Sequence, residues 1–305
     1  MGWRILFYGH KCYDMEEIPE PKKVGDPLKQ TVTKQVGPLY RFIVFGLLEA
    51  RSCIFPAVIF LTLAASKLIH IPGLPRYDFI LIICILAQAL MLAFKWETWD
   101  EFKVICMFHI IGLLLELYKV HMGSWSYPED GWSKIGGVPL YSGFMYASVA
   151  SYICQSWRHM NLRITGWPRA YWTVGISVLI YLNFFTHHYL WDLRWWLTLL
   201  LAIIFFRTFV YFDVAGKTFR MPLVLSFVLI GFFIWVAENI STFFGAWQYP
   251  DQHHAWRLVH IGKISSWFLL VVISIIIVAQ LKKVKQTEQT ADPVTRSVPA
   301  DQRNG

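Results

Sequence analysis

Charge is the scarcest commodity in this sequence. Of 305 residues, 16% are charged and 56% hydrophobic, whereas a soluble domain carries about a quarter charged residues. That deficit sets aside a soluble globular fold. Cysteine is sparse too: Cys12, Cys53, Cys84, Cys106 and Cys154 share no CxxC spacing, and four of the five lie in apolar runs. Neither a disulfide framework nor a zinc site follows from such a set, and small hydrophobes in helix packing account for it. The net charge of +8 is not gathered into a basic polar patch, so a nucleic-acid partner is excluded. The opening residues, "MGWRILFYGHKCYDMEE", lack the apolar core of a secretory signal. No standard catalytic signature is present, so any reaction has to be argued from where individual side chains fall.

What the sequence has is apolar length. Mean hydropathy is +0.44, and the apolar residues gather into blocks long enough to cross a bilayer. Fifteen Trp and fourteen Tyr suit a protein with two membrane interfaces to anchor. The expected fold class is all-α: a polytopic membrane protein with about eight transmembrane helices in two parallel four-helix repeats. The predicted spans run over residues 52–69, 77–94, 104–118 and 138–157, then 170–189, 193–212, 222–243 and 258–281. Residues 1–50 form a cytoplasmic N-terminal segment in which "LYRFIVFGLLEAR" reads as an interfacial helix. The transmembrane domain covers 51–281, with repeats at 51–157 and 170–281, and 282–305 reads as a disordered cytoplasmic tail.

Lys and Arg set the orientation. With the N-terminus inside, twenty fall on the cytoplasmic side and six outside, which predicts both termini in the cytoplasm. The repeat is read from two stretches 122 residues apart, "ELYKVHMGSWSYPED" from Glu116 and "ENISTFFGAWQYPDQ" from Glu238. They agree at Glu, Gly, Trp, Tyr and Pro. Four spans return the chain to its starting side, so the copies share one orientation and an axis near the membrane normal.

Glu116 and Glu238 are the candidate catalytic residues. A carboxylate at that depth costs roughly 2–3 kcal/mol if it faces lipid, so each is expected to face the bundle interior. Gly123 and Gly245 share the face of their Glu and would let a neighbour approach. Trp125, Tyr127, Trp247 and Tyr249 read either as an aromatic belt or as substrate-binding walls, and the fixed Glu spacing favours the second. Tyr141, His187, His260 and Lys263 join them at the same level as candidate binding residues. Lys263 is placed to neutralise Glu238, while its first-half counterpart is Tyr141. Lys119 is expected to reach up to the interface. Unequal neighbours would separate the two carboxyl groups into an acid and a base. His187 and His188 raise a metal site, but adjacent helical side chains diverge by about 100°, and no metal or cofactor is expected. His109, on the face of Gly112 and Glu116, reads as a satisfied packing residue.

These residues carry a resemblance. "ELYKVHMGSWSYPE", "GVPLYSGFMYASVASYI", "NFFTHH", "AENISTFFGAWQYP" and "KISSW" resemble the YoaT-like bacterial integral membrane proteins, a domain of unknown function, over residues 49–283. The resemblance implies a bacterial inner-membrane location and brings no activity. A fainter one, to membrane carotenoid hydratases and lycopene-cyclase-like proteins, rests on Glu116, Gly123, Trp125, Tyr127 and "GVPLY" with Glu238, Gly245, Trp247 and Tyr249. The second half departs from it, having "HIGKISSW" in place of Val-Pro-Leu. Three readings follow. The first is an enzyme using buried carboxylates on a lipid or isoprenoid near the outer face. The others are a transporter and a non-catalytic assembly or sensor protein. Membrane lipid is the expected partner, with a lipophilic small molecule as substrate; the oligomeric state stays open.

Overall fold

Pro38 opens the first helix, where its missing N–H costs nothing, and α1 runs over Pro38–Ser52. After Cys53 the chain turns by 67° into α2, Ile54–Leu68. The segment read as interfacial is thus a separate helix. A Pro-Gly-containing turn leads to α3, Arg76–Ala93. Thr98 and Glu101 then form a capping box: the Thr98 hydroxyl accepts from the Glu101 N–H at 3.3 Å, and Glu101 accepts from the Thr98 N–H at 3.0 Å. That reciprocal pairing satisfies otherwise orphaned donors and starts α4, Trp99–His121. A long loop carrying the short hairpin β1 (Lys134–Ile135) and β2 (Val138–Pro139) leads to α5, Tyr141–His159. The loop is tied down by Asp78 of α3, whose carboxylate accepts from the Trp132 and Ser133 N–H groups at 2.7 and 2.9 Å.

The second half begins with β3 (Arg163–Thr165), α6 (Ala170–Thr186) and α7 (Arg194–Ile204). The strands β4 (Phe209–Val214) and β5 (Lys217–Pro222) follow, then α8 (Leu223–Phe243), a 3-10 turn at Pro250–Gln252, and α9 (Lys263–Arg296). The computed structural model describes residues 37–187, 189–252 and 254–296. The readings made for residues 1–36 and for His188 lie outside these.

One expectation is corrected here. Three described helices, α3, α4 and α8, are long and apolar enough to cross a membrane, or four if the bent α1–α2 pair counts as one span; among the described residues the eight predicted spans are not supported. Helix α7 has 11 residues, about 16 Å at 1.5 Å per residue, and the rest of the predicted sixth span becomes strand β4. The cause is a hairpin. Ala215 and Gly216 both take positive φ, 47° and 75°, the geometry of a two-residue turn whose twist suits flanking strands. Helix α5 falls short because its Ser- and Tyr-rich surface is largely buried, so it needs no lipid-facing apolar coat. Helix α9 continues to Arg296, and residues 297–305 of the predicted tail lie outside the described residues.

Helix α4 packs mainly on α5 and α8 on α9; α2 also contacts α3 and α5, α3 contacts α5, α6 contacts α7 and α9, and α7 contacts α9. Close approach depends on small residues: a Cβ on Gly112 would lie 2.6 Å from the Tyr146 ring, and one on Gly231 3.1 Å from the Phe268 backbone. Outward faces stay apolar, with Ile85, Leu86, Leu90, Phe232 and Phe233 exposed. Exposure on that scale suits lipid contact.

Candidate functional site

Glu116 and Glu238 lie the same distance from the ends of α4 and α8, and both helices end in the same way. The N–H of Gly123 bonds the Val120 carbonyl and that of Ser124 the Lys119 carbonyl; Gly245 and Ala246 repeat this onto Thr242 and Ser241. Both glycines take positive φ, 67° and 66°. This is the left-handed helix stop that favours glycine. A Cβ on Gly123 would meet open space, so the close-approach reading of this glycine is corrected: its freedom of φ is what the site uses. The stop turns the chain back, so that the Tyr eleven residues after each Glu returns to it.

Glu116 is 4% and Glu238 2% exposed. Glu116 accepts from Trp125 Nε1 at 2.7 Å, the Tyr127 hydroxyl at 2.8 Å and the Tyr146 hydroxyl at 2.9 Å. Glu238 accepts from the Tyr249 hydroxyl and from Trp267 Nε1, the latter at 2.6 Å. Both carboxylates thus satisfy the rule that buried polar groups find partners. Where the two helix stops meet, Ser126 and Gln248 exchange both backbone hydrogen bonds at 2.9 Å. These two positions are 122 residues apart, so equivalent residues of the two stretches pair with each other.

The two carboxylates line one cavity of about 760 Å³, within the range of small-molecule sites. Its α8 wall runs from Leu223 through Ser226, Ile230, Ile234 and Glu238 to Ser241. At 1.5 Å per residue that is about 27 Å, close to the depth of a bilayer's hydrocarbon core. Trp125, Tyr146, Trp247, Tyr249 and Trp267 surround the carboxylate end, and Phe42, Phe45 and Phe212 line the hairpin end. There Glu49 accepts from the Tyr152 hydroxyl at 2.9 Å.

The other candidates divide. Trp125, Trp247 and Tyr249 are wall residues, and Tyr127 holds Glu116. Tyr141 is buried but bonds the Ala246 carbonyl at 2.6 Å, joining the halves without lining the cavity. Lys263 stands over the Tyr249 ring at 4.6 Å and the Trp125 ring at 5.6 Å. It backs the aromatic wall instead of contacting Glu238. His187 lies 3.3 Å from Lys119 Nζ and stays apart from the carboxylates, and His260 is exposed, its Nδ1 accepting from the Gly262 N–H at 3.1 Å. Neither lines the cavity. Lys119 is buried and donates to the Phe184 carbonyl at 3.2 Å, so its predicted reach to the interface is corrected: it caps α6 instead. His109 packs on Phe144 at 4.5 Å, and its Nδ1 has no partner among the described residues.

Sequence reasoning missed Tyr146 and Trp267. Both occur in the quoted motifs, yet which donor reaches which Glu depends on how α5 and α9 cross α4 and α8. It missed Glu97 as well, a buried residue in the α3–α4 turn that accepts from Gln88 and Ser151; burial raises its carboxyl pKa.

The family described as "Protein of unknown function (DUF817)" matches residues 41–275. The chain belongs to this DUF817 family. It is 60% identical over 250 residues to the uncharacterized protein YoaT of Bacillus subtilis (strain 168), covering 82% of this chain and 95% of that protein. No solved structure matches. The DUF817 match spans every residue of the carboxylate site, and the fainter likeness to carotenoid hydratases is carried by neither match.

Proposed function

We propose that this protein is a multi-pass enzyme of the bacterial cell membrane that uses Glu116 and Glu238 as an acid–base pair on a lipid or isoprenoid. In this reading α2–α5 and α6–α9 are duplicated halves related by a pseudo-two-fold axis through the Ser126–Gln248 pairing. Both termini face the cytoplasm, since Arg51, Lys103, Arg158, Arg163, Lys217 and Arg220 gather at the hairpin end. The site then lies towards the outer face.

One observation carries the proposal. Two buried carboxylates, one from each half, share the aromatic end of a long apolar cavity. If they only locked helices together, a closed contact would serve as well, and the cavity between them favours the catalytic reading. The chemistry it suits is addition of water to an alkene. One carboxyl group gives its proton to an alkene carbon, whose π pair forms the new C–H bond. The neighbouring carbon becomes electron-deficient and faces Trp and Tyr rings, which attract positive charge. Water bonds to that carbon and releases a proton to the other carboxylate. The net change is one water added, with the pair's single proton restored.

Expression in a bacterial host followed by mass spectrometry of neutral lipids tests this. The wild type should shift a lipid by the mass of one water, and Glu116→Gln or Glu238→Gln should each abolish the shift. Folded Gln variants that still give the wild-type profile would overturn the proposal.

A further inference from the structure

The charge on the cavity wall is all of one sign. Glu49, Glu116 and Glu238 line it, and among the described lining residues there is no Lys, Arg or His. Lys263, which stands near Glu238, is separated from the interior by the Tyr249 and Trp125 rings. Between the carboxylate end and the hairpin end the wall is apolar, formed by Ile230, Phe233, Ile234 and Leu270.

These features choose a head group. An anion would enter a low-dielectric space lined by carboxyl groups, with Lys263 stacked on the Tyr249 and Trp125 rings as the nearby cation, and like charges repel strongly there. A cation meets the opposite situation. It would find the carboxyl oxygens of Glu116 and Glu238 and Trp and Tyr faces on several sides, the arrangement that recognises ammonium groups. The tube along α8 then accepts one apolar chain.

We infer that the cavity is a binding site for a lipophilic cation, an alkyl ammonium with its head between Glu116 and Glu238 and its chain along α8 past Ser226. The inference rests on the cavity and its acidic lining, and a cation seated there would compete with the lipid of the proposed reaction for the same place. Binding without lipid turnover would overturn the proposed reaction and leave this site standing; turnover without cation preference would do the reverse.

Tryptophan fluorescence of the full chain in a non-ionic detergent is the assay, because Trp125, Trp247 and Trp267 stand at the head-group end. Decyltrimethylammonium, decyl sulfate and tetramethylammonium would be titrated below micelle-forming concentrations. The expected result is binding of decyltrimethylammonium at least tenfold tighter than either of the others. Replacing both carboxylates (Glu116→Gln with Glu238→Gln) should weaken it at least tenfold. Ile230→Trp, which fills the tube and leaves the carboxylates in place, should do the same. Equal affinity for the ammonium and the sulfate in the wild type would overturn the inference without recourse to any variant. So would wild-type affinity in a folded double variant, or tetramethylammonium binding as tightly as its decyl analogue.

Discussion

Two glycines, Gly112 inside α4 and Gly123 just past its end, show how differently one residue type can serve the site. Gly112 has ordinary helical geometry, and its job is to leave room: an added Cβ would meet Tyr146, the residue that donates to Glu116 at 2.9 Å. Gly123 has room to spare, and its job is conformational, with φ at 67°. Gly112→Ala should therefore cost about 1–3 kcal/mol through overpacking and also perturb the aromatic environment around Glu116. Gly123→Ala should cost about 1–2 kcal/mol from left-handed strain and leave that environment intact. Denaturant unfolding in detergent, read beside near-ultraviolet circular dichroism, separates the two. Equal spectral change in both variants would show that the two glycines do not act differently. At this scale much of the site was legible. Glu116, Glu238, Trp125, Tyr127, Trp247 and Tyr249 stood out because their spacing recurs. Trp267 did not, because its first-half counterpart is not a Trp and its contact is made across a helix crossing.

At the level of elements, the chain from Arg207 to Pro222 is where apolar composition misleads. Val210, Tyr211 and Phe212 extend a hydrophobic run from α7, but β-branched and aromatic residues suit a strand as well as a span. The tie-breaker was the Ala-Gly turn, whose positive φ angles commit the flanks to pairing. The resulting sheet has its own electrostatic clasp. Asp213 accepts from Thr218 at 2.6 Å, Asn161 at 2.9 Å and Arg163 at 2.9 Å. The Thr218 hydroxyl, followed by Asn161 and the Arg163 guanidinium, holds its carboxyl below the ordinary value of 3.8. A carboxyl whose folded pKa is depressed stabilises the fold above the unfolded-state pKa and loses that contribution as pH falls through the lower, folded value. Hydrogen exchange in β3–β5 should therefore lose protection as the pH drops below about 4, and Asp213→Asn should flatten that dependence. An unchanged pH profile in the variant would remove Asp213 as its source. The clasp is exposed, so the effect is expected to stay local.

Across the whole molecule, the sequence conveyed a membrane protein better than it conveyed how many helices cross. Hydropathy counts apolar length, and it treats a buried central helix, a half-length helix such as α7 and a strand as variations on one signal. Symmetry was read from two short stretches, and the structure brings those stretches together at Ser126 and Gln248. What no spacing could convey is the cavity, whose wall is assembled from α1, α2, α4, α5, α8, α9 and the hairpin. The central claim is that Glu116 and Glu238 face one shared interior. Electron cryomicroscopy of the full chain in lipid nanodiscs tests it most directly. The account predicts both carboxylates on the wall of a single chamber, with elongated density running from them along α8. Carboxylates directed at the surrounding lipid, or the two walled off from each other by packed side chains, would contradict it.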